Sequence, residues 1–385
     1  MNIGIIGVGK LGLVYALAFE KNGANVYASS YKQEYVENLL KRQTDTLEPD
    51  VAKFLHDAKN IKFTINNYEV ICNCDVIYVM VATPSNPAGD YDVSALQQVV
   101  DDFKSYTGAV NGKILIVGCT VNPGDCAHAQ SQLKELGVDV VYCPTFAAQG
   151  TVVRDVQNPS GILFGTEHHD IADRCKEVFD IITPKDTFMM RTQTTTAEIL
   201  KMAMNCYSTM RISFYNQIGQ ILIQSGMQED LEAAGKYLNL IDNKKGSLRF
   251  GFGFGGPCFP RDNRAFSVYS SRIGNPYEFG PMIDNFNQKH SIFIADWLRR
   301  DNKQGLPYYF DYITYKPGVT LMEESRQYET CCELLNSGCQ VYINTSKFLP
   351  YDVAQDLKSQ YGDLVNFIKK QELDALGIEV YHIKL

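Results

Sequence analysis

The most constraining feature of the chain stands at its start: Gly7-Val8-Gly9-Lys10-Leu11-Gly12, directly after the apolar run Asn2–Ile6. The run reads as a buried parallel strand, and the residues from Lys10 to about Asn22 follow a helical pattern that Gly23 ends. Glycines at these three spacings, between a strand and a helix, have separate physical tasks. The first allows a tight turn. The second lets a pyrophosphate approach the backbone, and the third lets the helix pack closely on the strand. The helix N-terminus then faces the negative charge. The segment therefore predicts a dinucleotide-binding turn and an α/β fold of the Rossmann type.

The pattern repeats downstream. Asn25–Ser29, Val76–Val81, Ile114–Val117 and Val138–Tyr142 read as further strands with helical stretches between them, which predicts a parallel sheet covered on both faces. From about Thr195 to Ser225 the chain is apolar on nearly every helical face, with Lys201, Asn205 and Asn216 as polar exceptions. A long helix of this kind must be covered, by flanking domains or by a second subunit, and a homodimer through residues 196–225 is the expectation. A glycine-rich loop follows at 246–262. Beyond about residue 305 come a strand at Tyr308–Thr314, a helix near Tyr328–Asn336 and a strand at Cys339–Ile343. The expected organisation is a dinucleotide-binding domain over 1–194, a central helical domain with the cysteine loop over 195–300, and a short C-terminal α/β domain over 301–385.

Composition excludes several classes. A net charge of −8 over 385 residues argues against non-specific nucleic-acid binding, which needs a basic face. No apolar run reaches the length of a membrane span, and the N-terminus enters a folded motif directly, without the pattern of a signal peptide. The 11 cysteines are scattered and odd in number, and Cys72, Cys119, Cys206 and Cys331 stand in apolar surroundings. Reduced buried thiols and a cytoplasmic location are expected, with no metal site, since Cys72/Cys74 and Cys331/Cys332 lack the spacer of a zinc pair.

One position departs from the usual NAD pattern. The second strand should end in an acid that binds the ribose 2′-hydroxyl, but the chain runs Ser29-Ser30-Tyr31-Lys32. Either a hydroxyl replaces the acid and NAD binds, or Ser29, Ser30 and Lys32 accept the 2′-phosphate of NADP. Thr83 and Thr120 follow strands at ends that face the ligand crevice. They are candidate cofactor contacts, or else helix caps and turn residues.

The candidate reacting centre is Cys258, in Gly251-Phe-Gly-Phe254-Gly255-Gly-Pro-Cys258-Phe-Pro-Arg261-Asp262. Glycines permit a backbone to wrap a ligand, and the two phenylalanines could offer faces to a base or sugar. Arg261 and Arg264 add positive charge, a setting that favours the nucleophilic form of a thiol, although a structural cysteine is the competing reading. Lys201 and Asn205 are four apart on one helix face, a pair able to stabilise an oxyanion or, equally, a surface lysine beside a core asparagine.

Taken in order, Gly7–Gly12, Val81–Pro84, Cys119–Gly124, Cys143–Gly150, Thr196–Asn205, Gly251–Asp262 and Tyr315–Gly318 resemble the UDP-glucose/GDP-mannose dehydrogenase family, collinearly from Met1 to about residue 345. The resemblance implies oxidation of a sugar C6 alcohol to a carboxylate in two steps, each with a nicotinamide cofactor. Cys258 would trap the intermediate aldehyde as a thiohemiacetal and then a thioester. It implies Lys201 and Asn205 at the oxyanions, Asp262 and Thr120 in the catalytic group, and Arg261 and Gln149 at the cofactor. The nucleotide sugar would meet Thr145, Phe146, Ala147, Ala148, Gln149, Phe250, Phe254, Gly255 and Lys316, with Lys244 as a further basic contact. Four positions depart from the family: Thr145 and Gln149 stand where it usually has Glu, Glu323 where it has Arg, and Ser30 where an acid is expected. Threonine is no general base near neutral pH, so hydrolysis of the thioester is expected either to slow or to rely on Asp262 and a bound water.

Overall fold

The computed structural model describes residues 1–241, 249–346, 349–383 and 385. It forms two compact units, Met1–Ala203 and Met204–Leu385, and the division falls within the long helix Thr194–Gln224.

The first unit is built on an eight-stranded sheet. Its strands are β1 (Asn2–Ile6), β2 (Asn25–Ser29), β3 (Ile61–Thr64), β4 (Val76–Val79), β5 (Ile114–Val117), β6 (Asp139–Tyr142), β7 (Ile162–Gly165) and β8 (Met189–Thr192). They are ordered β3-β2-β1-β4-β5-β6-β7-β8 and are parallel except where β7 meets β6. β4 and β5 are buried along their whole length because helices cover both faces, and their sequences Val-Ile-Tyr-Val and Ile-Leu-Ile-Val are accordingly unbroken apolar runs. The order reverses at β1 and β4. At such a switch point the loops leaving adjacent strands diverge and open a crevice at their C-terminal ends.

The second unit carries a four-stranded parallel sheet, ordered β11-β10-β9-β12, of β9 (Tyr308–Phe310), β10 (Val341–Asn344), β11 (Val365–Ile368) and β12 (Tyr381–His382). Ile294, Ala295 and Leu298 of helix Phe279–Asp301 share one core with Tyr308, Phe310, Val341, Ile343 and Val365 of this sheet. The expected boundary at residue 300 falls within that core.

Several elements differ from the sequence reading. β3, β8, β11 and β12 lack the strong apolar runs that marked the others, whereas β7, Ile-Leu-Phe-Gly, is a fully buried apolar run that the sequence reading passed over. β9 ends at Phe310 rather than Thr314, and β10 starts at Val341 rather than Cys339. All 11 cysteines are free, but Cys72 is exposed, because it lies on the outer face of helix Asn67–Asn73, whose Val70 and Ile71 are buried. Among the described residues no helix is long and apolar enough to cross a membrane.

Candidate functional site

The glycine turn divides its tasks as the sequence predicts. Gly7 has φ +95°, which a side chain would strain, and a Cβ there would meet the Met80 backbone at 2.7 Å. A Cβ on Gly12 would stand 2.3 Å from the Gly7 carbonyl oxygen, so this glycine lets helix Lys10–Lys21 close on the turn. Gly9 differs from both: a Cβ there would meet nothing within 4 Å. Its bare backbone faces open space at the helix N-terminus, the condition for a pyrophosphate to approach. Of the other turn residues Val8 is buried, while Lys10 is exposed and Leu11 half-buried. The residues present therefore fit a dinucleotide.

At the end of β2 the two serines separate. The Ser29 hydroxyl is fully buried and donates to Asn67 Oδ1 at 2.6 Å, and the Ser29 carbonyl accepts from the N–H groups of Gly7 and Val8. Its side chain is committed to the protein. Ser30 is half-exposed and accepts from the Lys32 N–H, and Lys32 is exposed beside the Tyr31 ring.

The parallel register brings the next candidates to one edge of the first unit. Thr83 follows β4, Thr120 follows β5, and Thr145–Gln149 follows β6. Thr83 is buried and Thr120 half-buried. Lys201, on the long helix, is buried; its Nζ donates to the Thr145 carbonyl at 2.9 Å and lies 4.8 Å from the centre of the Phe146 ring. The Thr145 side chain accepts from Tyr15 Oη at 3.1 Å and from the Ala147 N–H at 3.2 Å. Ala148 is exposed and Gln149 half-buried. The same turn is fastened at its far end by Glu48, whose carboxylate accepts from the N–H groups of Gly150 and Val152.

Glu198 is fully buried on the long helix. It accepts from the Gly124 N–H at 2.6 Å and the Cys126 N–H at 2.9 Å, capping helix Asp125–Leu133. Burial pushes its carboxyl up to about 7 against these two bonds, which favour the ionised form. The cap fixes the segment that carries Thr120 to the helix that carries Lys201.

In the second unit, Cys258 is exposed and occupies the N-cap of helix Phe259–Arg272, where backbone N–H groups present partial positive charge. One turn on, Asp262 is fully buried. Its carboxylate accepts from Asn205 Nδ2 at 2.6 Å and from Arg261 Nε at 3.4 Å, and its N–H donates to the Cys258 carbonyl. Asn205, also buried, is thereby fixed in orientation.

The glycine-rich loop does something the sequence did not indicate. A Cβ on Gly253 would stand 2.4 Å from Asn287 Oδ1, one on Gly255 2.2 Å from the Glu324 carbonyl, and one on Gly256 2.6 Å from the Tyr315 ring. These glycines are required by close packing on the protein itself. The loop's polar groups are likewise taken up: Gly251 N–H by Asn216, Gly251 carbonyl by His290, Phe254 N–H and carbonyl by Asn287, and Gly256 N–H by the Glu323 carbonyl. Phe252 stacks on Phe310, Phe254 is buried edge-on to Phe259, and Phe250 packs edge-on to His290 and Trp297. Lys316 is half-buried, next to the Tyr315 that Gly256 contacts. Lys244 lies outside the described residues.

Glu323 does stand where an arginine was expected, yet a guanidinium reaches this loop from three residues on. Arg326 is 4% exposed; its Nε donates to the Phe254 carbonyl at 3.2 Å, and its other nitrogens pair with Glu324 and Glu329. Sequence reasoning missed it because it does not align with the motif. It also missed Tyr15, inside an apolar helix run, and His290, which carries no local signal. Glu198 had one: an acid on an otherwise apolar helix.

Residues 1–183 match the NAD binding domain of the UDP-glucose/GDP-mannose dehydrogenase family, and residues 195–289 match the central domain of the same family. The chain belongs to this family. Membership places it among the nucleotide-sugar dehydrogenases. It is 27% identical over 352 residues to a UDP-glucose 6-dehydrogenase of Rickettsia bellii, covering 89% of this chain and 80% of that protein. A UDP-glucose dehydrogenase from Pyrobaculum islandicum shares its fold with a TM-score of 0.80 at 22% identity, over 98% of this chain and 88% of that one. A UDP-D-ManNAc dehydrogenase from Pyrococcus horikoshii does so with a TM-score of 0.73 at 19% identity, over 89% and 83%.

Proposed function

We propose that this chain oxidises the C6 alcohol of a nucleotide sugar, UDP-glucose foremost, to the carboxylate, with Cys258 as covalent nucleophile and NAD as acceptor. The observation that carries this reading is the buried Asp262, bonded to Asn205 one turn after the exposed Cys258. A carboxylate is costly to bury, and here it orients an amide donor beside the thiol's own helix turn. The nicotinamide, when bound, takes up the electrons of each oxidation. Cys258 Sγ adds to the aldehyde carbon, the carbonyl π pair moves to oxygen, and Lys201 and Asn205 stabilise that oxyanion. Oxidation of the adduct gives a thioester, which water cleaves to release the carboxylate and the thiol. Asp262 orients Asn205, and Thr120 joins this group.

In this reading the turn Gly7–Gly12, with Ser30, Lys32, Thr83, Thr120, Gln149 and Arg261, holds the dinucleotide. Thr145–Gln149, Lys201, Asn205, Phe250, Phe254, Gly255, Lys316 and Lys244 serve the nucleotide sugar. NADP is the competing cofactor, now through Ser30 and Lys32 alone, since the Ser29 hydroxyl is engaged by Asn67. A homodimer through the long helix is supported by Met204, Tyr207, Phe214 and Ile221, which leave apolar side chains exposed at spacings of three and seven residues. UDP-N-acetyl-hexosamine and GDP-mannose are alternative substrates. A reading of another class, a nucleotide-sugar-binding protein with impaired catalysis, draws on Thr145, Gln149 and Glu323.

A panel of nucleotide sugars with NAD and NADP, followed at the reduced-nicotinamide band, tests the proposal. The expected result is two cofactors reduced per sugar, abolished by Cys258→Ser. Tight sugar binding without turnover on any substrate would establish the binding-protein reading instead.

A further inference from the structure

The Cys143–Gly150 turn contains a hydroxyl whose acceptor capacity is spent. A threonine hydroxyl has two acceptor lone pairs and one donor. Thr145 Oγ1 accepts from Tyr15 Oη at 3.1 Å and from the Ala147 N–H at 3.2 Å. Both lone pairs are occupied, and only the O–H is left to bond outward. Tyr15 is well placed to enforce this. It lies on helix Lys10–Lys21, 7% exposed, with its ring edge-on to Tyr78 at 5.0 Å. Tyr78 in turn donates to the Cys143 carbonyl at 2.8 Å, so both rings are tied to the base of the turn. Burial pushes the Tyr15 phenol up to about 12, which keeps it protonated and donating throughout the neutral range. From the other side Lys201 Nζ holds the Thr145 carbonyl at 2.9 Å, which anchors the main chain of the residue.

We infer that Thr145 is a fixed hydrogen-bond donor to an oxygen of the bound nucleotide sugar, and that Tyr15 is the positioning residue that sets its direction. The inference rests on the nucleotide-sugar reading above and deepens it. A hydroxyl saturated as acceptor takes no proton from water, so this position binds and polarises a ligand oxygen and does not act as a base. The ligand group it selects is an acceptor: a sugar oxygen, most strongly one that gains negative charge as the reaction proceeds.

A double-mutant cycle on the full chain tests this, with Tyr15→Phe, Thr145→Val and the pair, and Thr145→Ser as the conservative rescue. The readouts are kcat/KM for UDP-glucose with NAD and, separately, Kd for UDP-glucose by calorimetry. Removing the donor in Thr145→Val is expected to lower kcat/KM by about tenfold, and Thr145→Ser to recover to within about threefold of wild type. Tyr15→Phe keeps the ring and is expected to cost about threefold by itself and nothing further on top of Thr145→Val, because it acts only through that hydroxyl. If the two costs multiply in the double variant, Tyr15 acts independently and the proposal is overturned. It is also overturned if Thr145→Val matches wild type. A wild-type protein that turns over while the cycle is multiplicative leaves the dehydrogenase reading standing. One that binds UDP-glucose without turnover, with a non-additive cycle in Kd, leaves the inference standing and removes the dehydrogenase reading. Failure to bind any nucleotide sugar removes both.

Discussion

Acidification from pH 7 to pH 5 should weaken the second unit through one buried imidazole. His290 is fully buried, packed among Phe250, Phe286 and Phe293. Its Nε2 lies 2.6 Å from the Gly251 carbonyl, which can only accept, so the proton is on Nε2, and Nδ1 accepts from Gln220 Nε2 at 2.7 Å. The neutral ring is therefore fully satisfied. Burial holds its pKa down, from 6.5 to about 4. A histidine depressed in this way contributes stability that is complete above the unfolded value and lost as pH falls from 6.5 toward 4, because the unfolded chain takes up a proton that the folded one refuses. From pH 7 to pH 5 the loss is about 2 kcal/mol. Urea unfolding of wild type and His290→Gln at both pH values isolates it. The variant starts less stable, having lost the ring's packing, but the drop on acidification should be smaller than in wild type by about 2 kcal/mol. Parallel losses in the two proteins, or a His290 resonance titrating near 6.5 in the folded state, would refute the reasoning.

Three further perturbations discriminate as sharply. Glu198 has the opposite sign: a carboxyl raised from 4.5 to about 7 contributes stability at low pH that is lost as pH rises through that window. Glu198→Gln should flatten the decline of unfolding free energy between pH 5 and 8 by roughly 2 kcal/mol. Because this slope and that of His290 oppose each other, each emerges only as a difference between variant and wild type. Gly9→Ala should leave the melting temperature near that of wild type but abolish dinucleotide binding in calorimetry, since its Cβ meets only open space in the free protein. Gly12→Ala should instead destabilise the fold by roughly 1–3 kcal/mol, its Cβ striking the Gly7 carbonyl.

Local chemistry determined much of this protein in advance. The turn at Gly7–Gly12 is legible because each glycine answers a local demand of backbone conformation or close approach, and these demands are written in adjacent residues. The buried strands β1, β4 and β5 are legible because burial on both faces requires unbroken apolar runs. Cys258, Asp262, Lys201 and Asn205 could be singled out by residue type and spacing. Tertiary structure alone decided what those residues do to one another. The glycines after Gly251 looked like room for a ligand and proved to be packing against Asn287, Glu324 and Tyr315, which lie 30 or more positions away in the chain. A guanidinium the motif did not announce, that of Arg326, reaches the loop because the fold brings helix Arg326–Asn336 against it. Thr145 could be read from sequence only as the absence of a base. That its lone pairs are filled, by a tyrosine 130 residues earlier and a backbone N–H two residues later, depends on helix Lys10–Lys21 lying beneath the turn. Hydrogen-bond saturation is a property of atoms brought together across the chain, and no run of neighbouring residues encodes it.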